Sequence, residues 1–129
     1  MSRHEQPTLL PDTARAVTYR LSLLPEGFPQ AYAWDLVVQS RGPGAWVVGT
    51  GSHPNEVLGA DGTWDWEKRK HDASEEWLAN FRFDLDTALR IADQALPHIE
   101  VMGKTPAQVQ VWQAERLAAA DRGEETADA

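Results

Sequence analysis

The chain has 129 residues, 42% of them apolar, no cysteine and a net charge of −8. That length suits one domain with one core, and that apolar content excludes a wholly disordered chain. The absence of thiols excludes disulfides, thiolate catalysis and cysteine-held metals, and the acidic balance disfavours a phosphate backbone as a direct partner, so no nucleic acid is expected.

No apolar run approaches the ~20 residues of a membrane helix. The first fifteen residues lack the apolar stretch of a secretory signal. The expectation is a cytoplasmic protein with no membrane contact. The acid is unevenly placed. Residues 1–52 carry four basic and four acidic groups, whereas residues 53–76 carry three basic and seven acidic ones.

Residues 1–15 mix Pro7 and Pro11 with polar groups and no periodicity, which predicts a loose arm. From Val17, apolar Val17, Tyr19, Leu21 and Leu23 alternate with polar residues, the pattern of a half-buried strand. Pro25-Glu26-Gly27 and Pro29 end it. Tyr32, Trp34, Leu36 and Val38 alternate again, predicting a second strand. Arg41-Gly42-Pro43-Gly44 has hairpin length, and Ala45 to Thr50 is the expected antiparallel partner. Gly51 to Asn55 reads as a loop, Asp61-Gly62 as a turn and Thr63 to Glu67 as a short strand bearing Trp64 and Trp66 on one side.

Lys68 to Glu76 is a charged connection with no apolar residue but Ala73 and reads as a solvated loop. Trp77, Ala79, Phe81, Phe83 and Leu85 then alternate with Leu78, Asn80, Arg82 and Asp84, which predicts a strand. The period changes after Asp84. Leu85, Ala88, Leu89, Ala92 and Leu96 share one side of a helix, and Asp84 is placed to cap it. Pro97 stops or kinks that helix. Residues 98–102 fit either a short edge strand or a helical continuation. Thr105, Pro106 and Gln108 form a capping box with proline at the first helical position, opening a final helix to about Ala120. Its apolar residues are spread around the axis, so it either sits between two surfaces or packs weakly. Residues 121–129 form an acidic tail.

The candidate chemistry is sparse. Asp61, Thr63, Asp65 and Glu67 have the alternate spacing of a calcium loop, but the sixth position is Trp66 where a sharp turn needs glycine. Gly49-Thr50-Gly51 follows a strand, yet Pro54 stands where a dinucleotide fingerprint has its third glycine. The four histidines include no pair at helical metal spacing. Asp84 and Asp86 are explained by capping and by the helix dipole. No catalytic residue, metal or cofactor is expected. Six tryptophans stand out. Trp34 and Trp46 suit the core, while Trp64 and Trp66 either plug one end of the sheet or form an exposed aromatic platform.

The run Leu58 to Glu67 (LGADGTWDWE), with Trp77-Leu78-Ala79, Arg82-Phe83 and Ala88-Leu89-Arg90, resembles small acidic proteins of unknown function from high-GC actinobacteria and their phages. The resemblance covers roughly residues 57–105 and implies a bacterial or phage protein.

The reading is a single α+β domain over 16–120, with a loose arm (1–15) and an acidic tail (121–129). It holds an antiparallel sheet of four to five strands, one amphipathic helix packed on one face, and a second, C-terminal helix. The function expected is a non-catalytic protein-interaction domain, extending to a phage or mobile-element inhibitor of a basic, nucleic-acid-binding partner. Its surface would combine Trp64 and Trp66 with Asp61, Asp65, Glu67, Glu75 and Glu76. A small-molecule-binding domain or small enzyme with a Trp-lined pocket is the alternative, and the C-terminal helix is a candidate for homo-oligomer formation.

Overall fold

The computed structural model describes residues 11–123. Residues 1–10 of the expected arm and 124–129 of the expected tail lie outside the described residues. Five short strands make one antiparallel sheet in sequence order: β1 (Thr18–Leu21), β2 (Leu36–Ser40), β3 (Trp46–Thr50), β4 (Glu56–Leu58) and β5 (Trp64–Trp66). Three α-helices follow: α1 (Glu75–Phe81), α2 (Leu85–Ala95) and α3 (Pro106–Asp121). The α+β architecture is therefore an antiparallel meander covered by helices.

The β2–β3 register pairs Val38 with Val48 and Leu36 with Thr50. Alternation then sends Leu36, Val38 and Val48 to one face and Val37 and Val47 to the other. On the first face, Leu36, Val38, Val48 and Leu58 meet Phe83, Ala88, Ala92 and Leu96. Ala88 and Ala92 are fully buried, and their small side chains let α2 lie close to the sheet. Asp84 caps this helix, accepting from the Thr87 N–H at 2.8 Å.

The opposite face carries a second helix where a strand is predicted. Trp77 to Phe81 is part of α1, not of a strand. Ser74, in extended conformation, caps it by accepting from Trp77 N–H, and Glu75 and Glu76 occupy the favourable first turn. Trp77 and Phe81, four residues apart, stack at 4.5 Å and pack on Val47 and Val57. Alternation of Trp77, Ala79 and Phe81 fits a helix as well as a strand, because Phe81 falls on the same helical face as Trp77. The extended remnant is short: Phe83 exchanges both backbone hydrogen bonds with Trp46, at 2.8 and 3.0 Å.

Four other segments differ. Tyr32 and Trp34 belong to a 3-10 turn, Ala31–Trp34, and the strand starts at Leu36. Trp34 instead fills a separate cluster with Leu24 and Val109, its indole donating to the Lys104 carbonyl at 2.8 Å. Glu56–Leu58, passed over in the periodicity, is a strand. Residues 98–102 are neither edge strand nor continued helix. A 3-10 turn, Leu96–His98, leads into a bend closed by Val101 and Lys104. The charged connection of 68–76 contains a 3-10 turn, Lys70–Asp72, and the start of α1.

The glycines of Gly49-Thr50-Gly51 have a packing reason. A Cβ on Gly49 would meet the Pro54 backbone, and one on Gly51 would meet the Tyr32 carbonyl. No helix among the described residues is long and apolar enough to cross a membrane.

Candidate interaction site at the end of the sheet

β5 is the terminal strand of the sheet, so its outer side has no neighbouring strand. Gly62, at positive φ, permits the tight Gly59–Thr63 turn that returns the chain as β5, with the Gly59 N–H donating to the Thr63 carbonyl at 2.8 Å. Trp64 pairs with Leu58 and Trp66 with Glu56, so both rings leave the sheet on one side. They are 37% and 59% exposed. Neither residue is buried as a plug at the end of the sheet, and the two line different hollows. Trp66 lies edge-on to His53. Trp64 lines a shallow hollow of about 220 Å³ with Thr50, Glu56, His98, Ile99 and Glu100.

The five candidate acids divide in their roles. Asp61 is exposed at the turn and binds locally, accepting from the Thr63 hydroxyl at 2.7 Å and the Asn80 amide at 3.0 Å. Those bonds, the Thr63 hydroxyl first, hold its pKa below the ordinary aspartate value. Asp65 points to the face opposite the tryptophans. One oxygen accepts from the Trp77 indole at 3.0 Å, the other from the Trp66 N–H at 2.8 Å. The indole bond is the leading cause of its lowered pKa. By occupying the Trp66 N–H, Asp65 also blunts an edge that is open to strand addition. Glu75 and Glu76 are exposed at the start of α1, and the Asp65–Trp77 bond ties that helix start to β5.

Glu67 is not a free surface acid. Its carboxylate is only 13% exposed and sits between two arginines. Arg41 grips it in a fork, Nε at 2.7 Å and Nη2 at 2.8 Å, while Arg82 Nη2 donates at 2.9 Å. Expected on sequence grounds as part of the complementary charge, Glu67 instead bridges the β2–β3 turn, β5 and the α1–α2 link. Burial, with the nearby Arg41 charge, pushes the Arg82 pKa below its usual range against the pull of Glu67; a guanidinium stays charged regardless.

The tertiary structure adds a feature that sequence reasoning missed. An open cleft of about 910 Å³ is lined by Arg41, Lys68, Arg69 and Arg82 with Glu67, Asn55, Ala45, Leu78 and Trp66. Arg41 reads in sequence as a turn residue and Arg82 as the polar side of a strand. The signal present was Arg82 itself, a cation between Phe81 and Phe83, which needs a partner wherever that apolar run is buried. No group of three or more metal-ligating side chains occurs among the described residues.

Comparison with family models, with curated proteins and with solved structures finds no match.

Proposed function

We propose that the protein is a small, non-catalytic interaction domain that docks a basic protein on the free side of β5. Trp64 and Trp66 act as anchors, and Asp61, Glu75 and Glu76 supply the complementary charge. The observation that carries this reading is the pair of rings, 37% and 59% exposed on a terminal strand. A domain gains little in its own core from a tryptophan as open as Trp66, and tryptophan is over-represented among residues that dominate binding energies. Asp65 and Glu67 enter as scaffolding: one orients Trp66 and α1, the other locks the neighbouring turn. The resemblance to small acidic actinobacterial and phage proteins extends the proposal to an inhibitor of a nucleic-acid-binding enzyme, whose phosphate-binding surface would be basic.

The test is capture from a high-GC actinobacterial host with the wild-type chain, Trp64→Ala/Trp66→Ala and Glu75→Gln/Glu76→Gln. A partner held by the wild type, lost with the tryptophans and weakened both by the glutamine pair and by moderate salt supports the reading. A partner retained equally by all three proteins overturns it. The cleft favours a second reading, a small-molecule-binding domain with Trp66 in its wall.

A further inference from the structure

We infer that the cleft beside β5 is a binding site for a compact organic oxyanion, a carboxylate or phosphate attached to an apolar body. Arg82, Lys68 and Arg69 would hold the anionic group, and Trp66, Leu78 and Ala45 the apolar part. The inference does not rest on protein docking at β5, since the four cations are not among the proposed docking residues.

Charge is the first argument. The cleft lining contains four cations and one carboxylate, in a chain whose net charge is −8. Glu67 neutralises one guanidinium and leaves the second uncompensated. Arg41 is largely engaged, donating to Glu67 twice, to the Gln39 amide oxygen at 3.2 Å and to the Ser40 carbonyl at 3.2 Å. Arg82 is less committed: besides Glu67 it makes one long hydrogen bond, to the Phe81 carbonyl at 3.5 Å, so it keeps donors for a ligand. Its side chain is 16% exposed, so water compensates it poorly. An oxyanion would offset the burial that, ahead of the repulsion from Arg41, lowers the Arg82 pKa. Arg69 is 79% exposed and loosely paired with Asp72 at 3.3 Å, a contact weak enough to exchange for a ligand.

Shape is the second argument. About 910 Å³ falls within the ~300–1,000 Å³ of small-molecule sites, much more than a bare ion requires. Trp66 lines the cleft and is 59% exposed, and Arg82 is already fixed over the Trp77 ring at 5.3 Å, so the guanidinium's direction is set before any ligand arrives. The acidic remainder of the molecule repels long polyanions, which restricts the occupant to a small one.

The probes are phenyl phosphate, benzoate, the neutral benzyl alcohol, inorganic phosphate and a tetraglutamate peptide, titrated at low ionic strength. Chemical shifts of the Trp66 indole N–H and the Arg82 Nε–H provide the readout. Phenyl phosphate and benzoate should each shift both signals, and the tighter of the two identifies the anionic group. Inorganic phosphate should compete more weakly, and benzyl alcohol should shift neither signal. Arg82→Gln should weaken binding about tenfold or more. Arg69→Gln, exposed and harmless to the fold, should weaken it by a smaller factor. The proposal is overturned if benzyl alcohol binds as well as benzoate, if only tetraglutamate binds, or if both variants, folded by circular dichroism, bind phenyl phosphate like the wild type. Loss of protein capture in a Trp64→Ala chain, which leaves the Trp66 wall of the cleft intact, bears on the docking surface alone.

Discussion

At Glu67 one carboxylate serves two guanidiniums, and the consequence is asymmetric. Removing either arginine leaves an ion pair, whereas removing Glu67 leaves two half-buried cations facing each other. Glu67→Gln should therefore cost about 2 kcal/mol in urea unfolding, and the double variant Glu67→Gln/Arg82→Met should recover part of it. Equal stability of Glu67→Gln and the wild type would contradict the triad. Acid sensitivity belongs to the same scale. Asp61, Asp65 and Asp84 all have pKa values lowered in the folded state, by the Thr63 hydroxyl, the Trp77 indole and the Thr87 backbone N–H respectively. A lowered folded pKa means the contribution is complete above the unfolded value of 3.8 and is lost as pH falls through the folded one. Stability should thus decline below about pH 4, and Asp65→Asn should flatten that decline. A steeper decline in the variant would reverse the assigned sign.

Among the elements, α1 depends most on tertiary contact. It has seven residues, too few to hold as an isolated helix, so its cap and its two aromatics must stabilise it. Phe81→Ala should cost about 3–4 kcal/mol, because the ring is buried against Val47, Val57 and Trp77. Ser74→Ala should cost about 1 kcal/mol through the cap alone. A thermal-melt series with Phe81→Ala near neutral would mean that the face opposite α2 is not a core. The helix was legible in part. Ser74 followed by Glu75 and Glu76 is a helix-start signal, but Ala79 between Trp77 and Phe81 completes an alternation that a strand shares. α2 had no such rival, since Leu85, Ala88, Leu89 and Ala92 recur at steps of three, one and three, and those odd steps break strand alternation.

Over the whole molecule, α3 is attached by its first turns. Pro106 and Val109 are buried beside Leu24 and Trp34, while Leu117 is 59% exposed. Val109→Ala should lower stability by about 1–2 kcal/mol and Leu117→Ala by less than about 0.5 kcal/mol, compared by urea denaturation. Equal losses would show that the outer half of α3 is covered. The spread of apolar residues around this helix left two options, a place between two surfaces or weak packing, and attachment by the first turns alone corresponds to the second.

Local pattern determined much here: the β2–β3 hairpin through its glycine-rich turn, the Asp61-Gly62 turn, both long helices with their caps, and the antiparallel α+β class. Those features depend on residues near one another in sequence, where backbone preferences and side-chain period act directly. Tertiary structure alone decided that Glu67 meets Arg41 across 26 positions and Arg82 across 15, that Asp65 reaches Trp77, and that the acidic chain carries a basic cleft. A charged side chain takes its partner from whatever the folded sheet brings within about 3 Å, and no spacing along the chain encodes that meeting.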